Sequence, residues 1–353
     1  MSNDNFMESY LNGFSPSGYE IQLGGQKIWK DYVEQYAKKV EIDDYGNVYA
    51  YYGNMDSEFT VLLDAHADEI GYVVNDITKE GFIKVQRLGG SDIHITPASK
   101  VTIWGSKDPV TGIFGHPAIH VQERDKFKVE LEKMFIDVGA ESDEEVAEMG
   151  IEVGTPITMV GDYMKMGKFH TGRSLDDKIG GYINASILRI LSDKNIELPF
   201  KFVVVNAVQE EVGLYGADMA ANFIKPNVAL VIDVTHCTKS PAYDNNKLGS
   251  VEAGKGVVLM SAPSIQKNLL KLVREIADAD SIPYQMSTSG RGTGTNADSY
   301  AYPKGIPTML FKMAMRYMHT TSETVHEDDV NNTIKLIIKT LLSENITKSL
   351  KYI

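Results

Sequence analysis

An apolar run, Val61-Leu62-Leu63, leads into Asp64-Ala65-His66-Ala67-Asp68-Glu69, so that a histidine with an acid two residues beyond it stands where a strand should finish. Far downstream the same kind of residue recurs in Leu175-Asp176-Asp177, in Gln209-Glu210-Glu211-Val212-Gly213, in Asp233 after Val228-Ala229-Leu230-Val231-Ile232, and in His319. Imidazoles and carboxylates are the ligands that borderline divalent cations take, and these positions together supply enough of them for two ions. The chemistry implied is metal-assisted hydrolysis.

Each residue also has a simpler explanation. A lone histidine is more often structural, but Asp68 is placed to take the second ring N–H of His66 and so fix its tautomer, as carboxylates do behind metal-bound imidazoles. Asp176-Asp177 precedes Lys178-Ile179-Gly180-Gly181, where acids commonly cap a helix, yet a carboxylate there can bridge two cations with one oxygen on each. Glu210 and Glu211 would repel one another at a buried strand end unless cations or a proton absorb their charge. Neighbouring side chains on extended backbone diverge, so Glu211 faces the ions while Glu210 reaches a bound water, or the reverse if the turn begins earlier.

The elements that must position these groups follow from periodicity. Ser17 to Lys39 has helical spacing after the Ser15-Pro16-Ser17-Gly18 turn, and Gly46 to Tyr52 and Phe59 to Ala65 read as strands. From Gly71 to Met166 short β-type runs alternate with Gly-Gly, Asp-Pro and Gly-Thr-Pro punctuation, the texture of a small β-rich insertion. Helices and strands then alternate: helix Lys178 to Leu191, strand Lys201 to Val208, helix Tyr215 to Asn222, strand Val228 to Val234, helix Ile265 to Asp280, strand Pro307 to Met313 and helix Asp328 to Ser343. This predicts an α/β fold, a three-layer sandwich with a mostly parallel sheet flanked by helices, with ligands beyond the carboxyl ends of the strands. The expected division is a catalytic domain of residues 1–70 and 167–353 and an inserted domain of residues 71–166.

Composition sets limits on function. The 353 residues are 43% hydrophobic and 24% charged, with a formal net charge of -13 and no basic run interleaved with aromatics, which argues against a nucleic-acid partner. No basic and apolar leader opens the chain and no stretch is long and apolar enough to span a bilayer, so a cytoplasmic protein with no membrane partner is expected. Cys237 is the single cysteine, which fits a reducing compartment. His236 beside it is placed to line a pocket; His94, His116, His120, His170 and His326 lack an acid at relay spacing as clear as that of His66 and read as surface or packing residues, and Met309, Met313, Met315 and Met318 read as core packing.

Asp64-Ala65-His66-Ala67-Asp68-Glu69-Ile70-Gly71, Leu175-Asp176-Asp177-Lys178, Glu210-Glu211-Val212-Gly213, Asp233-Val234-Thr235 and His319-Thr320-Thr321-Ser322-Glu323 together resemble the tetrahedral (TET-type) aminopeptidases, which include glutamyl and deblocking aminopeptidases and some chains labelled endoglucanase. The resemblance runs in order over nearly the whole chain. It implies two divalent ions, zinc or cobalt, with Asp176 bridging them, Glu211 and His319 on one and His66 and Asp233 on the other. It also implies Glu210 as general base, Asp68 orienting His66, and an inserted PDZ-like or barrel-like dimerisation domain. Peptides with a free N-terminus would be the substrates, and dimers would assemble into a hollow dodecamer. Two departures stand out: Lys178 replaces the arginine of many members, and Thr295-Asn296-Ala297 stands where Thr-Asp-Ala is usual. Arg291, in Ser289-Gly290-Arg291-Gly292-Thr293-Gly294, is a candidate for binding a substrate carboxylate. The rival functions are a glycoside hydrolase, which needs two separated acids and no histidine ligands, and a non-catalytic assembly protein on the same fold.

Overall fold

The computed structural model describes residues 3–121, 128–241, 243, 249–302, 304–348 and 350. Helices α1 (Asn3–Asn12) and α2 (Gly25–Val33) precede strands β1 (Lys39–Ile42), β2 (Val48–Gly53) and β3 (Thr60–His66). The helix predicted from Ser17 is confined to α2. Gly18 and Gly24 lie at φ 86° and 90°, which breaks the preceding segment into turns, and a Cβ on Gly25 would come within 2.8 Å of the Phe14 carbonyl.

The chain then leaves the sheet. Strands β4 (Gly71–Ile77), β5 (Ile83–Leu88), β6 (Lys100–Ile103), β7 (Val110–Phe114), β8 (Ile136–Asp137) and β9 (Pro156–Met159) close a barrel in the order β4-β5-β8-β7-β6-β9, with the short helix α3 (Asp143–Glu148) beside it. Every pairing in it is antiparallel. The barrel has its own core around Tyr72, Ile83, Val101, Phe114, Ile136 and Ile157, separate from the larger one.

The main sheet resumes with β10 (Met164–Met166) and β11 (Phe169–Gly172), followed by α4 (Leu175–Asp193), β12 (Lys201–Ala207), α5 (Tyr215–Ile224), β13 (Val228–His236), β14 (Val257–Ser261), α6 (Lys267–Ala279), β15 (Tyr284–Thr288), α7 (Asn296–Ala301), β16 (Thr308–Arg316), β17 (Glu323–His326) and α8 (Glu327–Leu341). Strand order is β1-β2-β12-β3-β13-β16-β17-β11-β10, with β14 on β16 and β15 on β14. The expected parallel ladder is the sheet's centre, β12-β3-β13-β16; β2 joins it antiparallel on one side and β17 and β14 join β16 antiparallel on the other, while β15 runs parallel to β14. The central strands are buried except at their ends, as continuous runs such as Val203-Val204-Val205 require. Asp64 meets Asn296 and Tyr300 of α7, whereas Asn206, in register with the adjacent Ala65, meets Tyr10 of α1 and Gln26 of α2. Among the described residues no helix is long and apolar enough to cross a membrane.

Candidate metal centre

Five separate turns bring the polar groups together. His66 ends β3, Asp176 opens α4, Glu210 and Glu211 follow β12, Asp233 lies near the end of β13 and His319 follows β16. Because β3, β12, β13 and β16 run parallel, their carboxyl ends open on one edge of the sheet.

Asp176 is the centre of the arrangement. Its Oδ1 lies 3.1 Å from Nε2 of His66 and its Oδ2 lies 3.5 Å from Nε2 of His319. Nε2 of His319 is also 3.4 Å from Oε1 of Glu211, and Nε2 of His66 is 3.9 Å from Oε2 of Glu210. Ligand atoms of His66, Asp176 and Asp233 lie within 4.8 Å of one another, as do those of Asp176, Glu211 and His319; His66, Glu210 and Glu211 form a third such group. The first two groups share only Asp176. The two adjacent acids divide the alternatives at the start of α4 between them: Asp176 faces the imidazoles, and Asp177 accepts from the Gly180 N–H at 3.1 Å as a helix cap does.

The imidazoles are oriented for a cation. Nδ1 of His66 is 3.2 Å from the Asp68 carbonyl and Nδ1 of His319 is 3.2 Å from the Gly90 carbonyl. A carbonyl only accepts, so each Nδ1 carries the proton and each Nε2 can offer a lone pair into the cluster. The Asp68 carboxylate stands 3.5 Å from Nδ1 of His66, farther than its own backbone oxygen. It accepts the N–H groups of Glu210 (2.9 Å) and Glu211 (3.2 Å) and the Ser17 hydroxyl (2.7 Å), so its main task is to fix the turn that carries both glutamates.

Glu323, quoted in the sequence only as the end of a motif, is a further positioning group. Its carboxylate accepts the N–H of Asp176 at 2.9 Å and that of His319 at 2.7 Å, tying the shared aspartate to the second imidazole. Glu69 forms a buried ion cluster with Arg173 and with Lys178 at 3.2 Å. Arg173 and Lys178 also donate to backbone carbonyls at Gly13, which pins the N-terminal segment beneath the site. Periodicity could not reveal these partners, because they are more than 100 residues apart in sequence.

Packing these acids together has a clear electrostatic signature. Burial, with the charges of Asp233, Glu211 and Asp68, pushes the Glu210 carboxyl up to about 9. Burial and the charge of Asp176 raise Asp233 to about 7, and burial raises Glu211. Although burial alone would lower it, hydrogen bonds to Asp176 and Glu211 push His319 up to about 11. Protons on acids and imidazoles thus offset the clustered negative charge. Two divalent cations would do the same while leaving Nε2 and the carboxylate oxygens as ligands, so this donor set fits them.

The cluster forms the floor of a cleft of about 660 Å³ whose walls include Leu214, Thr235, His236, Thr295, Lys312 and Met318. His236 lines it as expected, whereas Cys237 is buried apart from it with Val251, Val258 and Ala314. Met309, Met313 and Met315 are core residues, as read, and Met318 reaches the cleft wall. The remaining histidines lie elsewhere: His170 bonds to Tyr163, His326 caps α8, His94 pairs with Asp92, and His116 and His120 are exposed. Arg291 is exposed; its loop neighbours Thr293 and Gly294, not Arg291 itself, line the cleft.

The M42 glutamyl aminopeptidase family profile matches residues 46–336. The chain belongs to that family. It is 33% identical over 345 residues to the lysyl aminopeptidase of Pyrococcus furiosus, covering 96% of both chains. Among solved structures, it superposes on a TET aminopeptidase from a marine sediment archaeon, Thaumarchaeota archaeon SCGC AB-539-E09, with a TM-score of 0.92 at 30% identity, covering 99% of both chains. The TET1 peptidase of Pyrococcus horikoshii, described as able to assemble into a tetrahedron or a large octahedral shell, matches with a TM-score of 0.84 at 29% identity, over 97% of this chain and 100% of that one. The M42 member described here is thus a peptide hydrolase by family, and its cleft is the place to seek the chemistry.

Proposed function

We propose that this M42 protein is a dinuclear metalloaminopeptidase that removes residues from the free N-terminus of peptides. The observation that carries the reading is Asp176, whose two oxygens face two different imidazoles at 3.1 and 3.5 Å. Asp176 would be shared between two divalent ions, zinc or cobalt, with His66 and Asp233 completing one ligand set and Glu211 and His319 the other. When bound, such a pair lowers the pKa of a water to near neutrality and polarises the scissile carbonyl. Glu210, on the cleft wall beside His66, takes the proton of the attacking water and returns it to the leaving amine. Asp68 holds Glu210 and Glu211 by their backbone N–H groups, and Glu323 holds Asp176 and His319 in the same way. The acidic lining receives the α-amino group of the substrate. Arg291 contributes, on this reading, from the rim.

The wider arrangement is proposed on the same footing. Residues 1–70 and 167–353 form the catalytic unit, a three-layer sandwich, and residues 71–166 the inserted barrel, with the hairpin strand β10 already in the large sheet. The barrel mediates dimers that build a dodecamer, in keeping with the shells of the P. horikoshii relative. The protein acts in the cytoplasm, with neither nucleic acid nor membrane as partner. Glycoside hydrolysis is the weaker reading, since the acids converge on two imidazoles rather than flanking a cleft as a separated pair.

The test is hydrolysis of aminoacyl-anilides and of glucan by protein of measured metal content. Anilide cleavage that disappears on N-acetylation of the substrate is expected, with no glucan cleavage. Glu210→Gln is expected to lower kcat by about 100- to 10,000-fold while metal content is unchanged. Full peptidase rate in that variant would refute the assignment of the base.

A further inference from the structure

In β16 the buried run Met309-Leu310-Phe311-Lys312-Met313-Ala314-Met315 places one lysine among apolar residues. Lys312 is only 5% exposed. It stands in register with Asp233 on the parallel neighbour β13, so both side chains leave the sheet on one face, and both line the cleft. Its ammonium makes no hydrogen bond or ion pair with any described residue, although a buried lysine is ordinarily paired. Asp233 is the nearest acid in register, and with Asp233 committed to a cation the ammonium stands beside positive charge with no counter-ion of its own. Beyond the acids and imidazoles of the cluster and His236, the cleft wall is uncharged: Thr235, Thr293 and Thr295 offer hydroxyls, and Leu214 and Met318 offer apolar surface. A ligand that brings its own carboxylate would complete this pairing, and one that brings a second ammonium would be repelled.

We infer that Lys312 is a specificity-determining residue that receives the side-chain carboxylate of an acidic first residue, making the enzyme selective for N-terminal glutamate and aspartate. This deepens the aminopeptidase reading and rests on it. Arg291 is solvent-exposed and off the cleft wall, so the largely buried cation on that wall is the one placed to discriminate charge.

The decisive comparison is glutamyl- against glutaminyl-anilide, which are nearly isosteric and differ in charge, with leucyl- and lysyl-anilide measured alongside. In the metal-loaded full chain kcat/KM is expected to favour the glutamyl substrate over the glutaminyl one by about tenfold or more. Lys312→Met should bring that ratio close to one, and Lys312→Gln should do the same if the methionine variant fails to fold. Calorimetric binding of free glutamate against glutamine should show the same preference and the same loss, independently of turnover. Hydrolysis of the leucyl substrate with a glutamyl-to-glutaminyl ratio that Lys312→Met leaves intact overturns the inference while sparing the peptidase reading. A ratio that falls only with Arg291→Ala overturns it too. If Lys312→Met instead lowers the preference for Leu-Gly over its C-terminal amide, the carboxylate at Lys312 is that of the peptide terminus and the side-chain assignment fails. Absence of hydrolysis of all four anilides refutes the peptidase reading; the binding comparison then judges Lys312 by itself.

Discussion

Asn296 replaces an acid expected from the resemblance, and the structure gives that replacement a measurable consequence. Its amide donates to Oδ1 of Asp64 at 2.7 Å, and the Tyr300 hydroxyl donates to Oδ2 at 2.6 Å, deep in the core two residues before His66. Burial raises the Asp64 carboxyl to about 6, against the lowering effect of these two donors. Its folded pKa therefore exceeds its unfolded value of 3.8, so the stability it contributes is present below about 4 and is lost as pH rises through 6. Above pH 6 Asp64 is ionised and adds no further pH dependence. Asn296→Asp would set a second carboxyl against the first in the same dry site, and the pair must then keep one proton to retain a hydrogen bond. The folded variant would hold a proton that its unfolded chain releases, costing about 1.4 kcal/mol per pH unit above 6, or about 2.7 kcal/mol by pH 8. Chemical denaturation of both proteins at intervals from pH 5 to 8, in chelator, should show curves that nearly coincide at the acid end and diverge progressively above pH 6. The remaining titrating groups are common to both chains and cancel in the difference. Curves that stay parallel over that range would refute the reasoning, since the amide would then not be what lets Asp64 ionise.

Glu323→Gln keeps the shape of the side chain but leaves one oxygen to accept from two N–H groups, so metal affinity should fall about 10- to 100-fold in a chelator competition, with little change in secondary structure by circular dichroism. Chelation should abolish peptidase activity and lower Tm. Because burial and like charge raise Asp233 to about 7 and Glu210 to about 9, the stability these two groups contribute to the metal-free protein is present at acid pH and lost as pH rises through 7 to 9, so the Tm difference between loaded and metal-free protein should widen from pH 6 to 9.

Most of the proposed ligand positions were legible in the sequence because an acid or imidazole closes an apolar run, and parallel strands deliver their carboxyl ends to one edge; Asp176, after Gly172-Arg173-Ser174-Leu175, has no such run before it. His66 after Val61-Leu62-Leu63 and Asp233 after Ala229-Leu230-Val231-Ile232 carry that signal within a few residues. The backbone that aims the ligands carried none. Ser174, Gln209 and His319 are non-glycine residues at φ 56°, 55° and 60°, each within two positions of a proposed ligand or itself one, and no composition rule marks them. Glu323, Glu69 and Lys178 escaped a role for another reason: a charged residue reads as solvated surface until its partner, more than 100 residues away for Glu69 and for Glu323 with Asp176, is known. The helix α7 was missed because six residues are too few for a periodic pattern, although Thr295 caps it through the Ala297 N–H.

The barrel, read from sequence as a dimerisation insert, also reaches the candidate metal centre. The segment just after β5 brings Gly89 and Gly90 against the cluster: the Gly90 carbonyl fixes Nδ1 of His319, and a Cβ at that position would lie 2.7 Å from the same nitrogen. A Cβ on Gly89, itself at φ 67°, would meet Ile70 at 2.9 Å and Glu211 at 3.1 Å. The Gly-Gly pair that reads as punctuation between strands is thus a close-contact surface, where absent side chains let one unit supply a hydrogen-bond acceptor to the other. The geometry also accounts for where the insertion sits in the chain. It departs directly after Asp68 and Glu69, which already hold the Glu210–Glu211 turn and the N-terminal segment, so the barrel is tethered at the site it completes.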